Sequence, residues 1–139
     1  MKTSQKKIKM ILEKTDTGFS AFAQSNPIYT TGRTIPELIE NALEAANLCF
    51  EEENLTITQE NIKFEIDFKQ FFQYYKVINA KFLANKIGMN PSLLSQYIQG
   101  RKKPSDAQTG KIIMGIHQIG LELSEINLIY RPLSKMPLN

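Results

Sequence analysis

The sequence predicts an α+β chain of two modules. A small β-β-β-α-β domain is expected over residues 1–66, an all-α domain over 67–130, and a flexible tail over 131–139. Three observations predict this division. Apolar residues alternate at period two near the start and again at Ile62, Phe64 and Ile66, as half-buried strands require, with one stretch of helical period between. Beyond Asp67 every element assigned up to Gly120 is helical. Charge separates in the same sense: from Thr34 to Asp67 the chain carries nine acidic residues against Lys63 alone. From Asn79 to Gln118 it carries Lys81, Lys86, Arg101, Lys102, Lys103 and Lys111 against Asp106. An acidic module followed by a basic one suits different partners, although the split alone equally describes two solvated faces.

The elements follow in order. Ile8, Met10 and Leu12 alternate with Lys7, Lys9 and Glu13, which predicts a first strand. Asp16-Thr17-Gly18 is turn chemistry, and Phe19 to Gln24 reads as the returning strand of a hairpin. Ser25-Asn26-Pro27 breaks it. Ile28-Tyr29-Thr30-Thr31 is β-branched and aromatic enough for a short third strand before Gly32. Thr34 and Glu37 have capping-box spacing with Pro36 in the first turn, predicting a helix to about Glu53. Its stripe of Leu38, Ile39, Ala42, Leu43, Ala46, Cys49 and Phe50 should lie on the sheet. Residues 54–61 read as a loop and Ile62 to Ile66 as the fourth strand. Asp67 and Gln70 repeat the capping-box spacing ahead of a helix with Phe68, Phe71, Phe72 and Tyr75, ending near Lys76. Lys103-Pro104-Ser105 separates two elements, and Ile112, Ile113, Ile116 and Ile119 carry a last helix to Gly120, read as its cap. Leu121 to Ile129 reads as either a strand or a short helix.

Composition bounds the function. The 139 residues suffice for one ordinary domain or two small ones. An apolar share of 42% with 22% charged residues belongs to a folded soluble protein and not a disordered one. No apolar run approaches the roughly 20 residues a membrane span requires. The basic start, Met1 to Lys7, leads into alternating charge instead of a signal-peptide apolar stretch. Cys49 is the single cysteine, so no intrachain disulfide and no cysteine metal cage is possible, and its helical position favours a buried, inert thiol. A cytoplasmic address, with no membrane partner, is the expectation.

Asn79 to Arg101 carries the most information. Asn79 is placed to cap one helix whose inner face is Phe82 or Leu83 together with Ile87. Ala84 stands where two helix axes would approach, and Gly88 suits a turn that needs positive φ. Asn90 and Pro91 begin a second helix, with Leu94, Ile98 and Tyr97 inward. Ser92, Ser95, Gln96 and Gln99 remain outward, the side chains suited to base edges, glutamine pairing bidentately with adenine. Gly100 ends the helix, and Arg101, Lys102 and Lys103 are placed to meet phosphate. These features outline a helix-turn-helix and make Asn90, Ser92, Ser95, Gln96, Gln99, Arg101, Lys102 and Lys103 the candidate contacts to double-stranded DNA. A helix pair with a glycine turn is also an ordinary packing device; the capped Asn-Pro start and the trailing basic run weigh against that here.

With those residues in view, Phe68 to Gly120 resembles the Cro/repressor (XRE) DNA-binding domain, with Ala84-Asn85-Lys86-Ile87-Gly88-Met89 as the turn signature. It departs at Ala80, where many members carry a glutamine that anchors the helix to a phosphate. Lys7 to Glu53 resembles the HicB antitoxin family, through Gly18-Phe19-Ser20-Ala21-Phe22, Ile28-Tyr29-Thr30-Thr31-Gly32-Arg33-Thr34, Glu37, Asn41, Glu44 and Ala45. The family's proline-glycine segment after its second strand is reduced here to Ser25-Asn26-Pro27. The resemblance implies a partial RNase H-like first domain that blocks a small HicA-type ribonuclease toxin, and a second domain that represses the shared operon. Glu37, Glu40 and Glu44 would then face a basic toxin, though alone they describe a solvated helix face.

Catalysis is not expected. RNase H chemistry needs clustered carboxylates for two metal ions, whereas Glu13, Asp16, Glu65 and Asp67 lie at strand ends or in cap roles. His117 is the sole histidine, and no phosphate loop or Ser-x-x-Lys motif appears, so neither metal nor cofactor is expected. The leading expectation is an antitoxin and autorepressor, a homodimer or higher oligomer. The alternative is a helix-turn-helix regulator whose first domain dimerises or senses a ligand without a toxin; a small basic protein encoded alongside would discriminate them. A purely structural interaction protein would show no salt-dependent DNA binding.

Overall fold

Strands β1 (Lys2–Thr3), β2 (Ile8–Thr15), β3 (Gly18–Ala23) and β4 (Tyr29–Gly32) precede helix α1 (Ile35–Cys49). Strands β5 (Leu55–Thr56) and β6 (Ile62–Ile66) follow, and then helices α2 (Phe68–Tyr74), α3 (Ala80–Ile87), α4 (Pro91–Ile98) and α5 (Asp106–Ser124). The computed structural model describes Lys2–Thr3 and residues 6–128. The fold is α+β, and the chain divides into two compact units, Met1–Tyr75 and Lys76–Asn139. The expected tail at 131–139 lies outside the described residues.

In the first unit the strands form a mixed sheet in the order β4-β3-β2-β6, with β6 parallel to β2 and the other pairs antiparallel. The hairpin register sets Met10 opposite Ala23 and Leu12 opposite Ala21, while Met10 also pairs with Phe64. Period-two alternation therefore turns Ile8, Met10, Leu12 and Ala21 to one face, where they are buried with Leu38, Ala42, Ala46 and Phe50 of the α1 stripe. Thr34 caps α1, its hydroxyl accepting from the Glu37 N–H at 3.2 Å. Ile39, Leu43 and Cys49 sit at the margin, so the thiol is half-buried instead of enclosed as expected.

Four sequence expectations need correction. The helix expected to reach Glu53 ends at Cys49, and Glu51–Glu53 tightens into a 3-10 turn that closes on left-handed Asn54. The expected loop at 54–61 is structured. Within it β5 pairs parallel with β1, and Gln59–Asn61 is a 3-10 turn. The cause is two buried or half-buried amides. Asn47 exchanges two hydrogen bonds with the Ile57 backbone (2.9 and 3.0 Å), and Asn61 donates to the Lys6 carbonyl at 3.0 Å while accepting from the Thr58 N–H.

The third correction concerns the boundary. Helix α2 belongs to the first unit, not to the second module that was expected to start at 67. Asp67 does cap it, accepting from the Gln70 N–H at 3.1 Å. The Gln70 amide does not close a capping box, however. It bonds the β2 backbone at both ends, accepting from Lys14 N–H at 2.9 Å and donating to Lys14 carbonyl at 2.7 Å. Those two bonds tie α2 to the sheet more firmly than periodicity could indicate. Lastly, Gly120 is no cap: α5 runs through it to Ser124, followed by a 3-10 turn over Glu125–Leu128.

Where β2 meets α2, the Glu13 carboxyl is pushed above its ordinary pKa, first by burial and then by the charge and hydrogen bond of Asp67. A raised carboxyl stabilises the fold while protonated, below its unfolded pKa, and loses that contribution as pH rises through the folded value. Glu13→Gln, which keeps a donor for Asp67 without charge, is expected to raise the melting temperature at pH 7. The gain should shrink towards zero below about pH 4, as thermal melts across that range would measure.

Candidate nucleic-acid interface

Helices α3 and α4 are joined by the three residues Gly88, Met89 and Asn90, and each helix is closed by local chemistry at both ends. The Asn79 side chain accepts from the Phe82 N–H at 2.9 Å and starts α3. At the other end Gly88 has φ 68, and Met89 N–H reaches back to the Ala84 carbonyl at 2.9 Å. With Gly88 N–H on the Asn85 carbonyl this is the Schellman pattern, and buried Met89 and Ala84 supply its apolar contact. The Asn90 side chain then accepts from Ser92 N–H at 2.8 Å, with Pro91 beginning α4. Gly100, at φ 75, closes α4 in the same way, Arg101 N–H reaching the Gln96 carbonyl at 2.9 Å.

Four buried side chains make up the inner side of the pair. Leu83 and Ala84 of α3 and Leu94 of α4 are fully enclosed, with Tyr97 nearly so. This resolves the ambiguous inner face: Leu83 points inward, while Phe82 is 57% exposed with the Lys86 ammonium 5.7 Å from its ring centre. Gly115 of α5 lets that helix press on α3, because a Cβ there would stand 2.7 Å from Leu83 Cδ1 and nearer still to Ile87 Cγ2. Lys86 also pairs with Glu122, tying α3 to α5. Neither Gly115 nor the Lys86–Glu122 pair was anticipated, since both join positions far apart in sequence.

At about 100° per residue, Ser92, Ser95, Gln96 and Gln99 occupy an arc of about 100° opposite Leu94 and Tyr97. Asn90, Ser92, Gln96 and Gln99 are exposed, and Ser95 is half-buried. Gln99 Nε2 donates to Ser95 Oγ at 3.2 Å, so these two side chains already engage each other. Arg101, Lys102 and Lys103 follow at once, all exposed. The eight candidate residues therefore stand on one short stretch, the end of the turn, the outer arc of α4 and the segment after it. That surface offers amide and hydroxyl groups for base edges and three cations for phosphate.

No protein-family model matches the chain, and no curated protein sequence matches it significantly.

The other predicted site lies in the first unit. Glu37, Glu40 and Glu44 are all exposed on α1, at the i, i+3, i+7 spacing that places them along one side. Among the described residues no group of three or more His, Cys, Asp or Glu side chains is gathered closely enough to hold a metal ion. His117 is exposed on α5. Among those residues, too, no helix is long and apolar enough to cross a membrane.

Proposed function

We propose that the second unit binds double-stranded operator DNA as a helix-turn-helix, with α4 as the recognition helix in the major groove. The observation that carries this reading is the outward arc of Ser92, Ser95, Gln96 and Gln99, capped by Asn90 and followed by Arg101-Lys102-Lys103. On this reading the chain is a HicB-type antitoxin of a type II toxin–antitoxin system: the first unit blocks a small HicA-like ribonuclease toxin, and the second represses the shared operon. The partial RNase H-like character of the first unit is part of the same proposal, supported by a sheet with a parallel β2–β6 pair and one helix-covered face. The protein itself acts by binding and is no enzyme, and its setting is cytoplasmic.

Binding to the DNA upstream of its own reading frame tests the DNA half of the proposal. For the toxin half, the neighbouring small basic protein is co-expressed with this chain. Co-purification is expected, and reversing Glu37, Glu40 and Glu44 together to lysine should reduce it at least tenfold at 150 mM salt while leaving DNA binding intact. Retention of the complex at full strength would remove the acidic face of α1 from the interface. DNA binding without any such partner would favour a regulator whose first unit serves another purpose.

A further inference from the structure

Helix α1 covers one face of the four-stranded sheet, and the other face carries a pattern of its own. Alternation turns Lys9 and Ile11 of β2, Phe22 of β3, and Tyr29 and Thr31 of β4 away from the core. The register sets Ile11 opposite Phe22 and Phe22 opposite Tyr29, so one apolar and aromatic row crosses three adjacent strands. Directly opposed positions stand about 5 Å apart at Cβ, which places the two rings side by side. Phe22 is 36% exposed and Tyr29 67%. Both rings therefore keep surface in water that strand packing does not use. Cations gather beside the row. Lys9 lies two residues before Ile11, and the parallel β2–β6 pairing sets Lys63 opposite it. With Lys7 these side chains line a hollow of about 400 Å³ at the start of both strands, where Glu60 is the one carboxylate in the lining. Lys9 also pairs with Glu65 at 3.6 Å. The carboxylates of Glu37, Glu40 and Glu44 belong to α1, on the far side of the sheet.

We propose that this open face binds single-stranded RNA, with Phe22 and Tyr29 each stacking one base and Lys7, Lys9 and Lys63 holding the phosphates that lead into the row. Charge and shape together choose the occupant. Ammonium groups attract a polyanion, and neighbouring flat rings accept unpaired bases, whose faces are covered inside a duplex. A cationic end that runs into an aromatic row fits a chain that alternates phosphate with base. A protein partner would need carboxylates and an apolar patch in that same order, whereas every nucleotide supplies both. Thr31 lies two residues beyond Tyr29 on the same face and is exposed. Its hydroxyl can donate to or accept from a ribose 2′-OH, which favours RNA over DNA.

Stacking is tolerant of base identity because every base has a flat face, so little sequence preference is expected. The inference concerns the first unit alone and depends on neither half of the function proposed above.

The test is fluorescence anisotropy of a short labelled oligouridine titrated with the full chain, which is expected to show saturable binding that weakens as salt rises. Phe22→Leu and Tyr29→Leu keep an apolar side chain in the strand and remove the flat ring, and each should weaken binding about tenfold, the size of one lost base stack. Tyr29→Phe keeps the ring and should bind as the unaltered chain does. Tyr29 is mostly in water, so an unchanged thermal melt is expected for Tyr29→Leu, which reads binding even where Phe22→Leu loosens the sheet. Lys7→Gln with Lys63→Gln should lower the slope of log affinity against log salt by about 1.4, at about 0.7 per phosphate on a single strand. Lys102→Ala with Lys103→Ala, the pair assigned to duplex DNA, should leave oligouridine binding unchanged, which separates this result from that of the DNA reading. Oligothymidine of equal length should bind more weakly. Several results overturn the proposal. Absence of binding at about 100 µM chain does so, as does RNA affinity that the Lys102 and Lys103 changes abolish and the leucine variants leave intact, since the RNA then lies on the second unit. Equal affinity for oligothymidine overturns the choice of RNA. Loss of a co-purifying protein with Tyr29→Leu, in a chain that does not bind RNA, would make the face a protein surface instead.

Discussion

Gly32→Ala is expected to unfold the first unit, with a loss of about 3 kcal/mol or more. Gly32 ends β4 just before the Thr34 cap, and its Cα faces the first turn of α1. A Cβ on it would stand 2.6 Å from the Leu38 Cα and closer still to the Leu38 N, both backbone atoms of a helix that cannot shift without leaving the sheet. Leu38 is fully buried, so the displacement would be passed directly into the core. The opposing glycine is equally confined. Gly18, at φ 158, begins β3, and a Cβ there would stand 2.6 Å from Arg33 Cα and against the Gly32 carbonyl. Two glycines thus allow the β2–β3 turn and the entry to α1 to share one space. Stability of small domains is on the order of 5–15 kcal/mol, so such a loss is a large part of the whole. Urea unfolding followed by circular dichroism should show the first-unit transition lost or moved far to lower denaturant. Gly120→Ala is the control. A Cβ there meets nothing within 4 Å, and replacing a helical glycine by alanine should be neutral or stabilising by up to about 1 kcal/mol.

The same contrast marks what was legible in the chain before its fold was seen. Signals that act over one turn of chain could be read directly. Thr34, Asp67, Asn79 and Asn90 all cap the helices they precede, and Gly88 and Gly100 both take positive φ where the helices end. Alternation likewise placed Ile8, Met10 and Leu12 on the buried face. Signals that depend on a distant partner were not available. Gln70 has the spacing of a capping box, yet its amide finds the Lys14 backbone 56 residues away and takes α2 into the first unit. Asn47 and Asn61 look like ordinary polar residues, and only the fold shows that they hold residues 57–61 in place. Gly120 carries the composition of a cap, but α5 runs through it to Ser124, and Glu122, two residues beyond, pairs with Lys86 of α3, far away in sequence.

The candidate DNA surface divides in the same way. Its residue types and their order come from the sequence, and the outward arc on α4 follows from helical period alone. The Ser95–Gln99 hydrogen bond does not, and it separates two glutamines that look equivalent in the sequence. Gln99 is held by a neighbour, whereas Gln96 is exposed nearer the capped end of α4. Recognition helices in this type of motif meet base edges mainly through their N-terminal residues, which favours Gln96 as the stronger reader.

Changing Gln96 and Gln99 to alanine is therefore expected to weaken binding to the cognate upstream DNA by about 10- to 100-fold, the loss of one well-made bidentate contact, and to relax preference at the bases they read. Most of that loss should appear in the Gln96→Ala single variant. Binding to unrelated DNA should hardly change, because amides contribute little to phosphate attraction. Lys102→Ala with Lys103→Ala should behave oppositely. Removing two cations weakens cognate and unrelated DNA by similar factors and lowers the slope of log affinity against log salt by about 2, close to one released counterion per lysine. Fluorescence anisotropy with both DNAs at several salt concentrations separates these outcomes. The pattern matters more than either size: an amide pair that alters unrelated DNA as much as cognate DNA would show that α4 lies along the backbone and not in the groove. A lysine pair without effect on the salt slope would take the segment after Gly100 away from the phosphates. Since both pairs are exposed and stand outside the Leu83–Leu94 core, neither change should move the melting temperature by more than about 2–4 °C, on the scale of about 0.5 kcal/mol for surface substitutions.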